Sequence, residues 1–139
     1  GYKNALKKNA IAINDTNITV GDYSISSGTL AANDLFKNKT PPSAIFCMNY
    51  EMAIGAIQQA KKNGLNVPND ISIAGFDDIS FAEFCDPPLT TISQPAEEFG
   101  TKAMSMLYDV INGNEPENKN TYLPFELIIR DSTGPNKRI

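Results

Sequence analysis

Histidine and tryptophan are absent from this chain of 139 residues, and cysteine occurs only twice. Without histidine, the commonest general acid and base, neither a Ser-His-Asp nor a Cys-His arrangement can form within the chain. Cys47 and Cys85 are too few and too isolated for a disulfide scaffold or a cysteine metal cluster. Cys47, inside the apolar run Ala44 to Met48, reads as a small buried hydrophobe. No GxxxxGK or GxGxxG phosphate loop follows any expected strand. The adjacent Asp77 and Asp78 lack the phosphate or further carboxylates that a Mg²⁺ site uses. The reading is therefore of a protein with no catalytic residues, no metal and no cofactor. A carboxylate pair such as Asp77 with Glu51 keeps glycoside hydrolysis open as the enzymatic alternative.

Long hydrophobic runs are lacking as well. No stretch approaches the roughly 20 apolar residues of a membrane helix. The opening GYKNALKKN has no signal-peptide core. The expectation is a cytoplasmic protein without a membrane partner, in which the sequons at Asn17 and Asn38 are chance matches. Basic residues are in deficit, 12 against 16 acidic for a formal charge of -4. Such a chain offers no broad cationic face to a phosphate backbone, so any contact with DNA has to come from elsewhere. Hydrophobic residues at 41% and charged residues at 20% are those of an ordinary globular domain.

What the chain does contain is an alternation of helical and extended signals. Residues 2 to 9 resemble the last turns of a helix, and Ile11 to Val20 a loop with a short strand. Ser24 is placed to cap a helix carrying Leu30, Ala31, Leu35 and Phe36. The run Ala44 to Met48 reads as a buried strand, followed by a helix from about Tyr50 to Asn63 that Gly64 closes. A second buried strand spans Ile71 to Ala74, a short helix with Asp78 as its cap spans 79 to 84, and a strand resumes at Thr90 to Ser93. A helix then runs from Pro95, in its first turn, to about Asn112, with Phe99, Ala103, Met106, Leu107 and Val110 as its stripe. A polar loop from Asn114 to Thr121, a strand over 125 to 130 and a loose tail from Ser132 complete the order. The pattern predicts an α/β fold, a parallel sheet covered by helices on both faces.

In such a fold, ligands bind beyond the carboxyl ends of the strands. That rule selects Asn49, Asp77 and Gln94. The Asp77 carboxylate can accept two hydroxyl hydrogen bonds or satisfy the amides of its own turn. Asn49 can meet a polyol or cap the following helix. Gln94 is either an amide contact or a hinge residue. Tyr23 can stack on a sugar or a base, or pack under its loop.

Four motifs in order give the chain a closer likeness. They are Met52 to Ala56, Gly64 to Asp78 (GLNVPNDISIAGFDD), Pro87 to Pro95 (PPLTTISQP), and Leu123-Pro124 through Arg130 to Pro135 (RDSTGP). Together they resemble the effector-binding, periplasmic-binding-protein-like core of the lactose and purine repressor family of bacterial transcription regulators. The resemblance implies that this is a C-terminal fragment of a two-subdomain core. Residues 1–93 would belong to the C-terminal subdomain, its first elements lying outside the chain. Residues 94–121 would cross to the N-terminal subdomain, 122–131 would return as a strand, and 132–139 would be a flexible tail.

The same resemblance makes Asp77, Asn49, Tyr23 and Gln94 the ligand-binding set and Ile54 with segment 79–85 the homodimer contact. The effector would be a small molecule, a sugar by the commonest class or a purine, and it would modulate affinity for operator DNA. That DNA would be reached only through a headpiece lying outside these residues, as does an arginine that clamps the effector in relatives. Where the family usually places aspartate after the asparagine, this chain has Tyr50. A transport-type sugar-binding protein of the same fold is the other binding alternative.

Overall fold

The computed structural model describes residues 1–115 and 119–136. Four α-helices and four short strands follow the order α1 (Tyr2–Lys8), α2 (Ile25–Phe36), β1 (Ala44–Phe46), α3 (Tyr50–Lys62), β2 (Ser72–Ala74), β3 (Thr91–Ser93), α4 (Ala96–Ile111) and β4 (Glu126–Ile128). Among the described residues no helix is long and apolar enough to cross a membrane.

The termini of the middle helices follow from local chemistry. Ser24 Oγ accepts the Ser27 amide at the start of α2, and Asn49 Oδ1 accepts the Met52 amide at the start of α3. Each satisfies one of the amide donors that a first helical turn leaves open. At the far end of α3, Gly64 takes a positive φ of 75°, its amide reaches Lys61 O, and the Leu65 amide reaches Ala60 O. This is the paired closure that only an unbranched left-handed residue makes cheaply.

β1 and β2 pair in parallel, Ile45 opposite Ile73, and a single parallel bridge between Ala74 and Thr90 extends the sheet. β3 and β4 form a separate antiparallel pair. The core lies between α3 and the parallel strands. Ala53, Ala56, Ile57 and Ala60 of α3 meet Ile71, Ile73, Ala82 and Leu89, all buried. α2 crosses α3 at glycine: a Cβ on Gly55 would overlap the Ile25 carbonyl, and one on Gly28 would overlap the Met52 backbone. The two helices therefore sit backbone against backbone, with Thr29 Oγ1 donating to Gly55 O at 3.3 Å.

Four expectations change. The segment 11–20 forms no strand; Asp15–Asn17 is a 3-10 turn, with Asn14 Oδ1 accepting the Thr16 amide. The short helix after Asp78 is a 3-10 turn at Ala82–Phe84 without a side-chain cap, because Asp78 is held elsewhere. Pro95 precedes α4 rather than lying in its first turn. From there α4 runs to Ile111 with none of its residues buried, and Phe99, Leu107 and Val110 are half exposed or more. The tail is not loose at its start. Ser132 is fully buried, its Oγ donating to Ile73 O at 2.6 Å and accepting the Thr90 amide at 2.8 Å. A hydroxyl that serves both β2 and the strand after it is a structural tie, which the polar, proline-containing sequence around it disguises. The remainder of that tail, 137–139, and positions 116–118 of the expected polar loop lie outside the described residues.

Candidate functional site

The carboxyl ends of β1 and β2, with the turn after β3, bring three segments together, and the four residues selected from sequence fall into two bonded pairs. Asn49, directly after β1, does more than cap α3: its Nδ2 donates to Tyr23 O at 2.8 Å. With both ends of its amide engaged, Asn49 positions the Tyr23 loop against the α3 N-terminus. The other pair joins Gln94 and Asp77, Gln94 Nε2 donating to Asp77 Oδ1 at 2.6 Å. The second oxygen of that carboxylate faces no protein donor among the described residues.

Both Tyr23 (φ 69°) and Asp77 (φ 67°) occupy the left-handed backbone region. For aspartate this is tolerated; for tyrosine it costs on the order of 1 kcal/mol. Such conformations persist where surrounding bonds over-determine them, and they concentrate at ligand sites. The Tyr23 loop supplies those bonds. Asp22 Oδ1 accepts from Ser24 N at 3.0 Å and from Ser24 Oγ at 2.6 Å. The Ser24 hydroxyl foremost, then Ser27 and the Ser24 amide, hold the Asp22 carboxyl down at about 2. Tyr23 is 63% exposed, so it is presented to solvent rather than packed.

The Asp77 turn is anchored from below by an ion pair that the sequence reading missed. Arg130 grips Asp78 through both carboxylate oxygens, at 2.7 and 3.2 Å, and donates to Leu89 O at 2.8 Å. Asp78 hydrogen bonding holds the guanidinium proton more firmly than usual. A two-pronged pair of this kind fixes orientation as well as charge. The residues are 52 positions apart, and only complementary charge at the start of the RDSTGP motif hints at the pairing. At the rim, the Tyr50 hydroxyl donates to Glu51 Oε1 at 3.1 Å. That bond, together with the negative charge of Glu51, pushes the Tyr50 phenol upward. Cys47 lies buried behind β1, and burial pushes its thiol up to about 12, so it behaves as a hydrophobe. Among the described residues no cluster of His, Cys, Asp and Glu could hold a metal ion.

The arrangement is a polar rim with one aromatic ring, one partly free carboxylate and, among the described residues, no nucleophile poised beside a base. It suits recognition of hydroxyl or N–H donors. Residues 1–133 match the periplasmic binding protein-like domain. The chain is 44% identical over 133 residues to the HTH-type transcriptional repressor CytR of Escherichia coli K12, covering 96% of this chain and 39% of that protein. It is 35% identical over 132 residues to the repressor PurR of Vibrio campbellii, covering 95% of this chain and 40% of that one. Among solved structures, a putative LacI regulator of Bacillus cereus subsp. cytotoxis superposes with a TM-score of 0.92 at 29% identity, over 98% of this chain and 48% of that one. A CelR–cellobiose complex superposes at 0.88 with 30% identity, over 94% and 40%.

The chain thus belongs to the periplasmic-binding-protein-like family, as an effector-binding domain of the LacI type. It spans about two fifths of the length of the curated relatives it matches.

Proposed function

We propose that this chain is the ligand-sensing and dimerisation part of a DNA-binding transcriptional repressor, and that its crevice takes a small polyhydroxylated effector, a sugar in preference to a purine. The observation that carries the reading is Asp77: a carboxylate at a strand end, held by Gln94 through one oxygen and open at the other. Asp77 is the direct contact, Tyr23 the stacking face, and Asn49 and Gln94 the residues that position them and border the ligand. The role is binding rather than catalysis, and the working compartment is the cytoplasm. Relatives named as repressors support this, as does the cellobiose complex of CelR on the same fold.

Residues 1–93 and 122–131 form the effector subdomain in this reading, with 94–121 crossing to a second one. The unburied α4 supports that division. Dimerisation uses the face around the 3-10 turn, where Phe81 and Phe84 stand 57% and 71% exposed. Operator DNA is contacted by other parts of the whole protein. Effector changes operator affinity only if it binds the two arrangements of that protein unequally.

Calorimetry of the whole protein against sugars, sugar phosphates and purines tests the assignment, with Asp77→Asn as the informative variant. Asparagine keeps the left-handed backbone accessible and removes the charge. A charged acceptor contributes roughly 1.5–3 kcal/mol per bond, so affinity should fall about tenfold to a hundredfold. Binding that is tight and indifferent to the substitution removes Asp77 from the site.

A further inference from the structure

Asp22, Glu51 and Asp77 all belong to this rim, and none has a cationic partner among the described residues. Asp77 is bonded to the neutral Gln94 amide, Glu51 to the Tyr50 hydroxyl, and Asp22 to the amide and hydroxyl of Ser24. The ion pairs engage other carboxylates, those of Asp15, Asp34, Asp86 and Asp78. Glu51 and Asp77 share one patch. The bond to Glu51 foremost, then desolvation and the charges of Glu51 and Asp77, push the Tyr50 phenol upward, so that phenol stands within reach of both. Asp22 arrives with the Tyr23 loop, which Asn49 ties to the start of α3.

The positive charge that could offset this patch is spent or distant. Arg130, beneath the Asp77 turn, gives both terminal nitrogens to Asp78 and one of them also to Leu89 O. α2 contains no basic residue, and those of α3 are Lys61 and Lys62 in its last turn. The helical rise puts them about 15 Å along the axis from Glu51, beyond the ~10 Å over which exposed charge acts at ordinary salt. A helix start can also welcome an anion, through its open amides and positive end. Here Ser24 Oγ takes the Ser27 amide and Asn49 Oδ1 takes that of Met52, while Glu51 in the first turn of α3 supplies the negative charge that the start favours. What faces a ligand is hydrogen-bond acceptance without positive charge.

We propose that this rim admits an uncharged effector rich in hydroxyl or N–H donors and turns away its phosphorylated counterpart, with Glu51 as a specificity-determining residue for that choice. The inference rests on the crevice being the effector site and narrows the class of molecule it takes. A phosphate monoester carries about two negative charges, and each unpaired carboxylate within a Debye length adds repulsion. A single cation on a facing wall leaves the balance of these carboxylates negative.

Inorganic phosphate is the first probe, followed through the Tyr23 and Asp77 amides in NMR of the whole protein at low salt. Those signals should stay in place through millimolar phosphate. Glu51→Lys should make them move, with phosphate affinity rising about tenfold or more. Glu51→Gln, which keeps the length of the side chain, should act in the same direction by a smaller factor, and it decides the matter should the lysine variant fail to fold. Wild-type signals that shift with phosphate as readily as those of either variant overturn the charge barrier. Calorimetry then compares glucose with glucose 6-phosphate and adenosine with its 5′-monophosphate. The uncharged member of a binding pair should be tighter by about tenfold or more, and the gap should narrow as salt is raised. A phosphorylated member that binds as tightly as its partner overturns the inference and leaves the crevice as the effector site. Tight binding of an uncharged member that moves neither the Tyr23 nor the Asp77 amide overturns the crevice reading itself.

Discussion

α3 and α4 are both amphipathic helices, of 13 and 16 residues, yet α3 buries six residues and α4 none. Their apolar stripes read alike in sequence, so the difference lies in what each meets. α3 has glycine at its crossing with α2 and small alanines over the strands, which let backbones approach and exclude water. α4 presents Phe99, Leu107 and Val110 to solvent. Helix stability in proteins comes mostly from packing of one face. These two helices show that a stripe becomes core only when a complementary surface lies within reach.

Breaking the packed side should be costly. Gly55→Val drives a side chain into the α2 backbone, which cannot withdraw, and is expected to lose about 3 kcal/mol or more in urea unfolding. A value near zero means that α2 and α3 do not cross here. Next comes a matched pair of truncations. Ile73→Ala, in the core, should lose about 2–4 kcal/mol, whereas Leu107→Ala on α4 should stay within about 0.5 kcal/mol. Equal losses erase the contrast between the helices.

The smallest effect concerns the loop that feeds α2. Asp22 is held at about 2 against an ordinary 3.8. A depressed carboxyl stabilises the fold fully above its unfolded value, and that contribution fades as pH falls through the folded one. An NMR titration should place the Asp22 midpoint near 2, and Ser24→Ala should move it up toward the usual range. A midpoint that ignores Ser24 removes the hydroxyl as its cause.

Local signals carried much of this structure into the sequence. Ser24, Asn49 and Gly64 announce helix ends through backbone groups a few residues away, and Ala44 to Met48 and Ile71 to Ala74 announce strands by composition. Features set by distant partners stayed hidden. Ser132 looked like tail because its buried hydroxyl serves residues 42 and 59 positions away. Asp78 looked like a cap because Arg130 lies 52 positions on. The site residues could be chosen from strand ends, but not their division of labour: the sequence left Asn49 as cap or contact, and its second bond to Tyr23 depends on how two loops meet.

The left-handed backbone at Tyr23 and Asp77 has a consequence for anyone randomising this rim. A library sorted only for thermal resistance should drift toward glycine at 23, and toward glycine or asparagine at 77, because those residues relieve backbone torsion. Sorting the same library for response to a small molecule pulls the other way. The rate at which the ring and the carboxylate return under that second pressure is a direct reading of what the rim requires.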